Sequence, residues 1–234
     1  MVGRPDGRWK LIVDDQGRSG IENMAVDVAL LDDAVRLGTA SLRLYRWDPP
    51  TLSIGRNQTL TVNDVPVVRR PTGGQAVWHE HELTYAVAAP IATFGSLRNA
   101  YREIHTRIAV ALRSLGADAV LAGDRPAVRP SDRPTSCFAS SVGGEIVVNG
   151  RKLVGSAQVR RGGAFLQHGS ILLDGSQDRV AGGTGETTLA VVLGRAATFE
   201  EVAAAVVDHW GERLTPSDSP TVRRSDVVAS LAAR

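Results

Sequence analysis

The chain has 234 residues, 43% of them hydrophobic, and a formal net charge of +2. This length fits one large domain or two small ones, and the composition excludes a disordered chain. The net charge is small and the basic residues are spread along the sequence, which excludes a basic stripe that binds nucleic acid. The N-terminus lacks the apolar core of a signal peptide, and no run of apolar residues is long enough to span a bilayer. We therefore expect a cytoplasmic protein that does not contact membranes.

The first half of the chain predicts a helix, a series of strands and a second helix. Ser19 and Glu22 have the spacing of a capping box, and apolar residues recur behind them at three- and four-residue steps, which predicts a helix over residues 20–37. Apolar runs between turn-forming residues then predict strands at 42–47, 51–55, 65–70, 75–79 and 83–88. Helical spacing returns over residues 97–115, and we expect both helices to cover one sheet.

The second half begins with a long loop that leads into a hairpin. Residues 122–141 are rich in Pro, Arg, Asp and Ser without periodicity, which is typical of a functional or a disordered loop. Asn149-Gly150 supplies the positive φ angles of a two-residue turn between predicted strands 145–148 and 151–159. The remaining predicted elements are an apolar strand, 164–173, and a last helix, 199–210.

This order of elements indicates the fold class. Strands interleaved with helices and joined by several hairpins predict an α+β fold, with a mixed, mostly antiparallel sheet flanked by helices. A doubly wound parallel sheet is not expected. The sequence contains no internal repeat, and we expect a single catalytic domain over residues 1–234.

The sequence contains one cysteine and two lysines. Cys137 lies in the long loop and excludes an internal disulfide, so it is either a small buried hydrophobe or a reactive thiol. Lysine occurs at Lys10 and Lys152 while every other basic residue is arginine, a pattern that arginine-biased codon usage explains equally well. A thiol with a reference pKa of about 8.5 is only slightly ionised at neutral pH. A nucleophilic Cys137 therefore needs a cation beside it, and Lys152 is the candidate.

The stretch from Arg69 to His79 places two arginines, a proline and a glycine pair between two predicted strands. Glycines allow the main chain to approach a ligand, and their N–H groups can hold an anion or a carbonyl oxygen. Because neighbouring strand residues point to opposite faces, only one of Arg69 and Arg70 reaches a given cavity easily. The alternative interpretation is an ordinary hairpin with two arginines beside its turn.

The strand after Lys152 contains the small residues Gly155, Ser156 and Ala157, which leave room for an elongated acyl chain. Close packing against a helix explains them equally well. His168 lies in the apolar strand 164–173, where a hydrogen-bonded core histidine is the stronger alternative to a functional one. The histidines are not spaced with carboxylates or cysteine as in a zinc site, so we expect no metal.

Two long segments carry a family resemblance. Arg69 to Pro90 contains Arg-Arg-Pro-Thr-Gly-Gly, then His79 and Glu82-Leu83-Thr84-Tyr85, and the second segment is Gly150 to Asp174. In residue identity and order these segments resemble the lipoate-protein ligases and octanoyltransferases, a family related to the biotin protein ligases. The resemblance extends from Asn23 to Arg195 and covers most of the chain.

Within that family, Thr135-Ser136-Cys137-Phe138 is similar to the branch in which the loop cysteine accepts the acyl group. The resemblance implies octanoyl transfer from acyl carrier protein, through a Cys137 thioester, to a lysine of a lipoyl-carrier protein such as a glycine cleavage H protein or an E2 lipoyl domain. It implies no cofactor. Ligases usually carry a C-terminal accessory domain, which we do not expect after Trp210.

The resemblance also implies the site residues. Cys137 and Lys152 are the predicted catalytic residues, and Lys152 would polarise the carbonyl with help from main-chain N–H groups near the glycine pair. The predicted substrate-binding residues are Arg70, Thr72, Gly73, Gly74, His79, Gly155, Ser156, Ala157, His168 and Gly169. Three alternatives remain: an ATP-dependent lipoate ligase, an amidotransferase between lipoyl-carrier proteins, and a non-catalytic protein that binds acylated carriers.

Overall fold

The computed structural model describes residues 8–59, 64–123, 144–180 and 185–220. The strands are β1 (Arg8–Arg18), β2 (Ser41–Trp47), β3 (Thr51–Ile54), β4 (Val67–Arg69), β5 (Val77–His79), β6 (Glu82–Pro90), β7 (Val120–Leu121), β8 (Ile146–Val148), β9 (Arg151–Arg161), β10 (Ala164–Leu172) and β11 (Arg213–Pro216). The helices are α1 (Gly20–Leu37), α2 (Leu97–Ser114), α3 (Leu189–Leu193) and α4 (Phe199–Asp208), with a 3₁₀ turn at Ile91–Thr93. Cys137, most of the predicted loop 122–141 and the C-terminal tail lie outside the described residues.

The described strands form two sheets. The larger has eight strands in the order β11-β1-β2-β6-β10-β9-β8-β7, and the smaller has the order β4-β3-β5. In the larger sheet β1 runs parallel to β2 and β11, while the other neighbours are antiparallel. The prediction of an α+β fold with a mixed, mostly antiparallel sheet is confirmed.

The helices pack on both faces of the larger sheet. Leu30 and Leu31 of α1 pack with Tyr45 of β2, whereas Ile108 of α2 packs in a separate cluster with Leu44 of the same strand. Because neighbouring strand residues point to opposite faces, α1 and α2 cover opposite sides of the sheet. Both predicted helices are therefore present, with α1 starting at the Ser19–Glu22 capping box. Helix α4 joins α2 on its face.

Some strands differ from the sequence-based prediction. Strand β1 was not predicted, because its second half, Asp14-Asp15-Gln16-Gly17-Arg18, is polar and has no alternation. The predicted strands 65–70 and 75–79 are shorter, as β4 and β5, since the proline and glycines between them form a turn. Over the ranges that the structure describes, no helix is long and apolar enough to cross a bilayer.

Candidate active site

A cavity with an empty volume of about 340 Å³ opens where the smaller sheet meets the larger sheet and α1. Apolar side chains from α1, β2 and β5 line it together with the small residues of β9 and β10. Of the predicted substrate-binding residues, those on its wall are Arg70, His79, Gly155, Ser156, Ala157, His168 and Gly169.

Gly169 makes room for its neighbours across the strands. A Cβ atom there would overlap the Ser156 hydroxyl and lie 2.6 Å from the Gly155 carbonyl oxygen and 2.8 Å from the Tyr85 ring. Real Cβ atoms do not approach other atoms this closely. Only glycine at this position therefore leaves β9 and β10 at their observed separation.

His168 is hydrogen-bonded through both ring nitrogens. Its Nδ1 donates to the Asp27 carboxylate at 2.9 Å, so its Nε2, 2.7 Å from the Thr72 hydroxyl, accepts. Burial lowers the pKa of His168, although the hydrogen bond to Asp27 and its charge act in the opposite direction. Asp27 is fully buried and also accepts from Arg43 and from the Tyr45 hydroxyl, each at 2.9 Å. Thr72 lies behind His168 and does not line the cavity.

His79 also lines the cavity and is stacked on the Trp47 ring with 3.9 Å between centroids. Its Nδ1 lies 2.8 Å from the Glu82 carboxylate, and its Nε2 lies 2.7 Å from the Ser53 hydroxyl. Thr84 also donates to Glu82, and the Trp47 indole N–H donates to Thr84 at 2.7 Å. This polar chain joins the smaller sheet to the larger one.

Arg70 is buried whereas Arg69 is exposed, so the arginine that reaches the cavity is the one predicted to do so. The Arg70 guanidinium donates to the carbonyls of Gly73 (2.8 Å), Gln75 (2.6 Å) and Ser53 (3.2 Å). It therefore fixes the turn in which Gly74 has a φ of 90°. Gly73 and Gly74 lie in this turn behind the cavity wall. Their role in holding a developing oxyanion stays a prediction.

A third histidine, His105 of α2, reaches the cavity through Ser156. Its Nδ1 donates to the Gly144 carbonyl at 2.6 Å, and its Nε2 lies 2.8 Å from the Ser156 hydroxyl. Tyr85 lies 2.6 Å from the same hydroxyl. Burial lowers the pKa of His105 to about 4, and the nearby Lys152 charge acts in the same direction. The pKa of Tyr85 is raised by burial.

Lys152 is only 3% exposed, and its ammonium donates to the Glu145 carboxylate at 2.6 Å. Its backbone N–H donates to the Gly185 carbonyl and its carbonyl accepts from the Thr187 N–H, so the segment before α3 fixes its main chain. Cys137, the other predicted catalytic residue, lies outside the described residues. Whether the two side chains meet therefore stays a prediction. Among the described residues, no three His, Cys, Asp or Glu side chains are grouped to hold a metal.

Comparison with known proteins identifies the family. The family model described as "Lipoyl protein ligase A/B catalytic domain" matches residues 19–211. The chain belongs to the lipoyl protein ligase A/B catalytic domain family. Its curated relatives include octanoyltransferase LipM of Carboxydothermus hydrogenoformans, 40% identical over 185 residues (74% of this chain, 67% of the relative). The LipM of Kyrpidia tusciae is 43% identical over 184 residues (71% and 66%). The chain thus spans about two thirds of the length of these relatives.

Solved structures support the fold of this lipoyl ligase A/B domain. A putative lipoate protein ligase from T. acidophilum with bound lipoic acid has a TM-score of 0.74 at 20% identity, covering 97% of this chain and 94% of that one. A lipoate-protein ligase A bound with ATP gives the same TM-score and identity, with 97% and 95% coverage. At this identity the likeness concerns the fold alone.

Several polar residues of this lipoyl ligase A/B domain that support the cavity wall were not predicted as site residues, and of these Ser53 lies on the wall itself. They are Asp27, Arg43, Ser53, Glu82, Tyr85 and His105, which hydrogen-bond to the predicted residues or to one another. Asp27 and His105 lie on helices that were predicted from the spacing of their apolar residues. A charged or polar residue within such an apolar face is the feature that could have revealed them, because buried charges need partners.

Proposed function

We propose that this chain transfers an octanoyl group from acyl carrier protein to a lysine of a lipoyl-carrier protein, through a thioester at Cys137. The observation that carries the proposal is the identity of about 40% with octanoyltransferases over nearly three quarters of the chain. The lining of the cavity agrees with it, because the apolar side chains of Met24, Trp47 and Val77 can bury an alkyl chain.

The proposed chemistry needs neither ATP nor a metal. Attack of the Cys137 thiolate on the donor thioester replaces one thioester with another, so this step costs little free energy. Attack of the acceptor amine on the new thioester forms an amide, which is downhill. Lys152 supplies a cation within the domain, and a nearby cation favours the thiolate form of a cysteine. The same ammonium could polarise the thioester carbonyl as negative charge develops on its oxygen.

The acceptor is proposed to be a glycine cleavage H protein or an E2 lipoyl domain, and the donor octanoyl-acyl carrier protein. A bi-partite lipoate protein ligase from Thermoplasma acidophilum, studied with its E2 lipoyl domain, has a TM-score of 0.65 with this chain at 19% identity. That likeness supports the fold, and the acceptor class follows from the relatives' activity.

The decisive experiment is incubation of the purified protein with octanoyl-acyl carrier protein, followed by intact-mass measurement. We expect a mass gain of one octanoyl group that hydroxylamine removes, and no such adduct in Cys137→Ser. Acceptor modification that requires ATP and free lipoate, and that survives Cys137→Ala, would instead identify a ligase. Replacing the donor with an octanoylated lipoyl-carrier protein tests the amidotransferase alternative. A protein that only binds carriers would modify no acceptor under any of these conditions.

A further inference from the structure

Three pairs of a hydroxyl and an imidazole each have at least one member on the cavity wall. In each pair the hydroxyl oxygen lies 2.7 or 2.8 Å from a histidine Nε2, and the Nδ1 of that histidine contacts an oxygen acceptor. The pairs are Ser53 with His79, Thr72 with His168, and Ser156 with His105. A hydroxyl linked to an imidazole that a third group orients is a common arrangement for moving protons during acyl transfer.

The three imidazoles differ in the charge of the group that accepts from Nδ1. His105 is backed by the neutral carbonyl of Gly144, and burial lowers its pKa to about 4. His168 is backed by Asp27, but the Arg43 guanidinium already compensates that carboxylate at 2.9 Å. Neither pair therefore offers an uncompensated negative charge to an imidazolium.

His79 differs from both in the surroundings of its carboxylate partner, Glu82. Among the described residues, the ion pair of Glu82 is with His79 alone, and Glu82 is 4% exposed. One of its oxygens accepts from His79 and Thr84, while the other, Oε2, is buried without a hydrogen-bond partner in the described part of the chain. A buried carboxylate in this state is costly, and an imidazolium at His79 would compensate its charge.

Arg70 fixes the direction of the Ser53 hydroxyl. Its guanidinium donates a hydrogen bond to the Ser53 oxygen at 3.1 Å. Because a guanidinium cannot accept a hydrogen bond, the Ser53 hydrogen must point to a different group. The His79 Nε2 at 2.7 Å accepts it, while Nδ1–H donates to Glu82. A hydroxyl oxygen has two lone pairs, and Arg70 uses one. Since Ser53 and His79 both line the cavity, the second lone pair is placed to accept an N–H from a bound amine.

We propose that Ser53, His79 and Glu82 form the proton relay that deprotonates the acceptor lysine during amide formation. This inference rests on the proposed function. As the lysine nitrogen bonds to the thioester carbon, one of its protons passes to the Ser53 oxygen while the Ser53 hydrogen passes to His79 Nε2. Glu82 compensates the resulting imidazolium. The carbon–sulfur bond then breaks with its electron pair on sulfur, and the imidazolium proton leaves to the thiolate or to solvent.

The relay predicts that the two half-reactions respond differently to loss of His79. Octanoyl-enzyme formation, followed by intact mass, uses no amine, so His79→Gln should slow this step less than it slows transfer to the acceptor. Single-turnover transfer from isolated octanoyl-enzyme to the acceptor should fall by roughly 10²- to 10⁴-fold, the usual contribution of general-base catalysis. Glu82→Gln should lower the same step, and circular dichroism confirms folding. Ser53→Ala tests the step again if either variant fails to fold.

Chemical rescue separates a proton carrier from a structural side chain. His79→Ala leaves a space beside the Trp47 ring, on which added imidazole can stack. We expect imidazole to raise transfer by His79→Ala but not by the matched variant His105→Ala, whose imidazole is backed by a backbone carbonyl. A His79→Gln enzyme whose half-reactions fall together, or a His79→Ala enzyme that imidazole does not rescue, would overturn the relay. If the wild-type protein forms no octanoyl-enzyme, the proposed function fails instead.

Discussion

Burial of the His105 imidazole should make folding stability depend on pH in a defined window. His105 is fully buried, and burial lowers its pKa from 6.5 to about 4. Because the folded-state value lies below the unfolded one, the unfolded chain takes up this proton first as the pH falls. The contribution of neutral His105 is fully present above about pH 6.5 and is lost progressively down to about pH 4.

The size of the effect follows from the width of that window. Each pH unit between the two pKa values changes the free energy of unfolding by about 1.4 kcal/mol. A window of about two and a half units therefore corresponds to a loss of about 3 kcal/mol from this one group. Burial also lowers the pKa of His168, which adds a loss of the same sign. A comparison with a His105 variant is therefore needed to isolate the contribution of His105 to the unfolding free energy.

Urea unfolding of wild type and His105→Gln, measured from about pH 7.5 to about pH 4 at constant ionic strength, provides the comparison. The difference between their unfolding free energies should change by about 3 kcal/mol across the window, with wild type losing more. His81→Gln is the control for loss of a histidine, because the His81 side chain is 59% exposed and this variant keeps the buried His105. Parallel curves for wild type and His105→Gln would refute the reasoning.

Three further substitutions test the packing, with urea unfolding as the measurement. Ser19→Ala removes the capping box of α1 and should cost about 1 kcal/mol, whereas an unchanged midpoint would mean that the cap contributes nothing. Gly169→Ala should cost about 1–3 kcal/mol through overpacking, while Gly163→Ala, where a Cβ meets no atom within 4 Å, should be nearly neutral. Arg43→Met leaves the buried Asp27 carboxylate without its cation and should cost about 3–5 kcal/mol; a variant as stable as wild type would contradict the importance of this ion pair.

The elements that could be predicted are those whose determinants are local. Helix α1 follows from the capping box and apolar spacing, and the β8–β9 hairpin from Asn149-Gly150, both of which have the positive φ angles expected. The cavity wall at Gly155, Ser156 and Ala157 was predictable because small side chains on a strand leave space. The family resemblance added the segment order, and the family is confirmed.

The unpredicted features depend on contacts between distant segments. Strand β1 has a polar second half and owes its place to pairing with β2 and β11. Arg43 meets Asp27 only because α1 packs across β2, and His105 meets Ser156 only because α2 lies against β9. The spacing of residues within a single segment does not predict contacts between distant segments. The relation between Cys137 and Lys152 stays a prediction for a different reason, since Cys137 lies outside the described residues.

The wall of the cavity is drawn from α1, β2, β3, β5, β6, β9 and β10, segments that span residues 24–170. The central pairing of β6 with β10 joins residues about eighty positions apart, a long-range contact of the kind that slows folding. A nascent chain therefore has no complete binding site until β10 has been synthesised and lies between β6 and β9. For the same reason, no short fragment of this domain can retain the site.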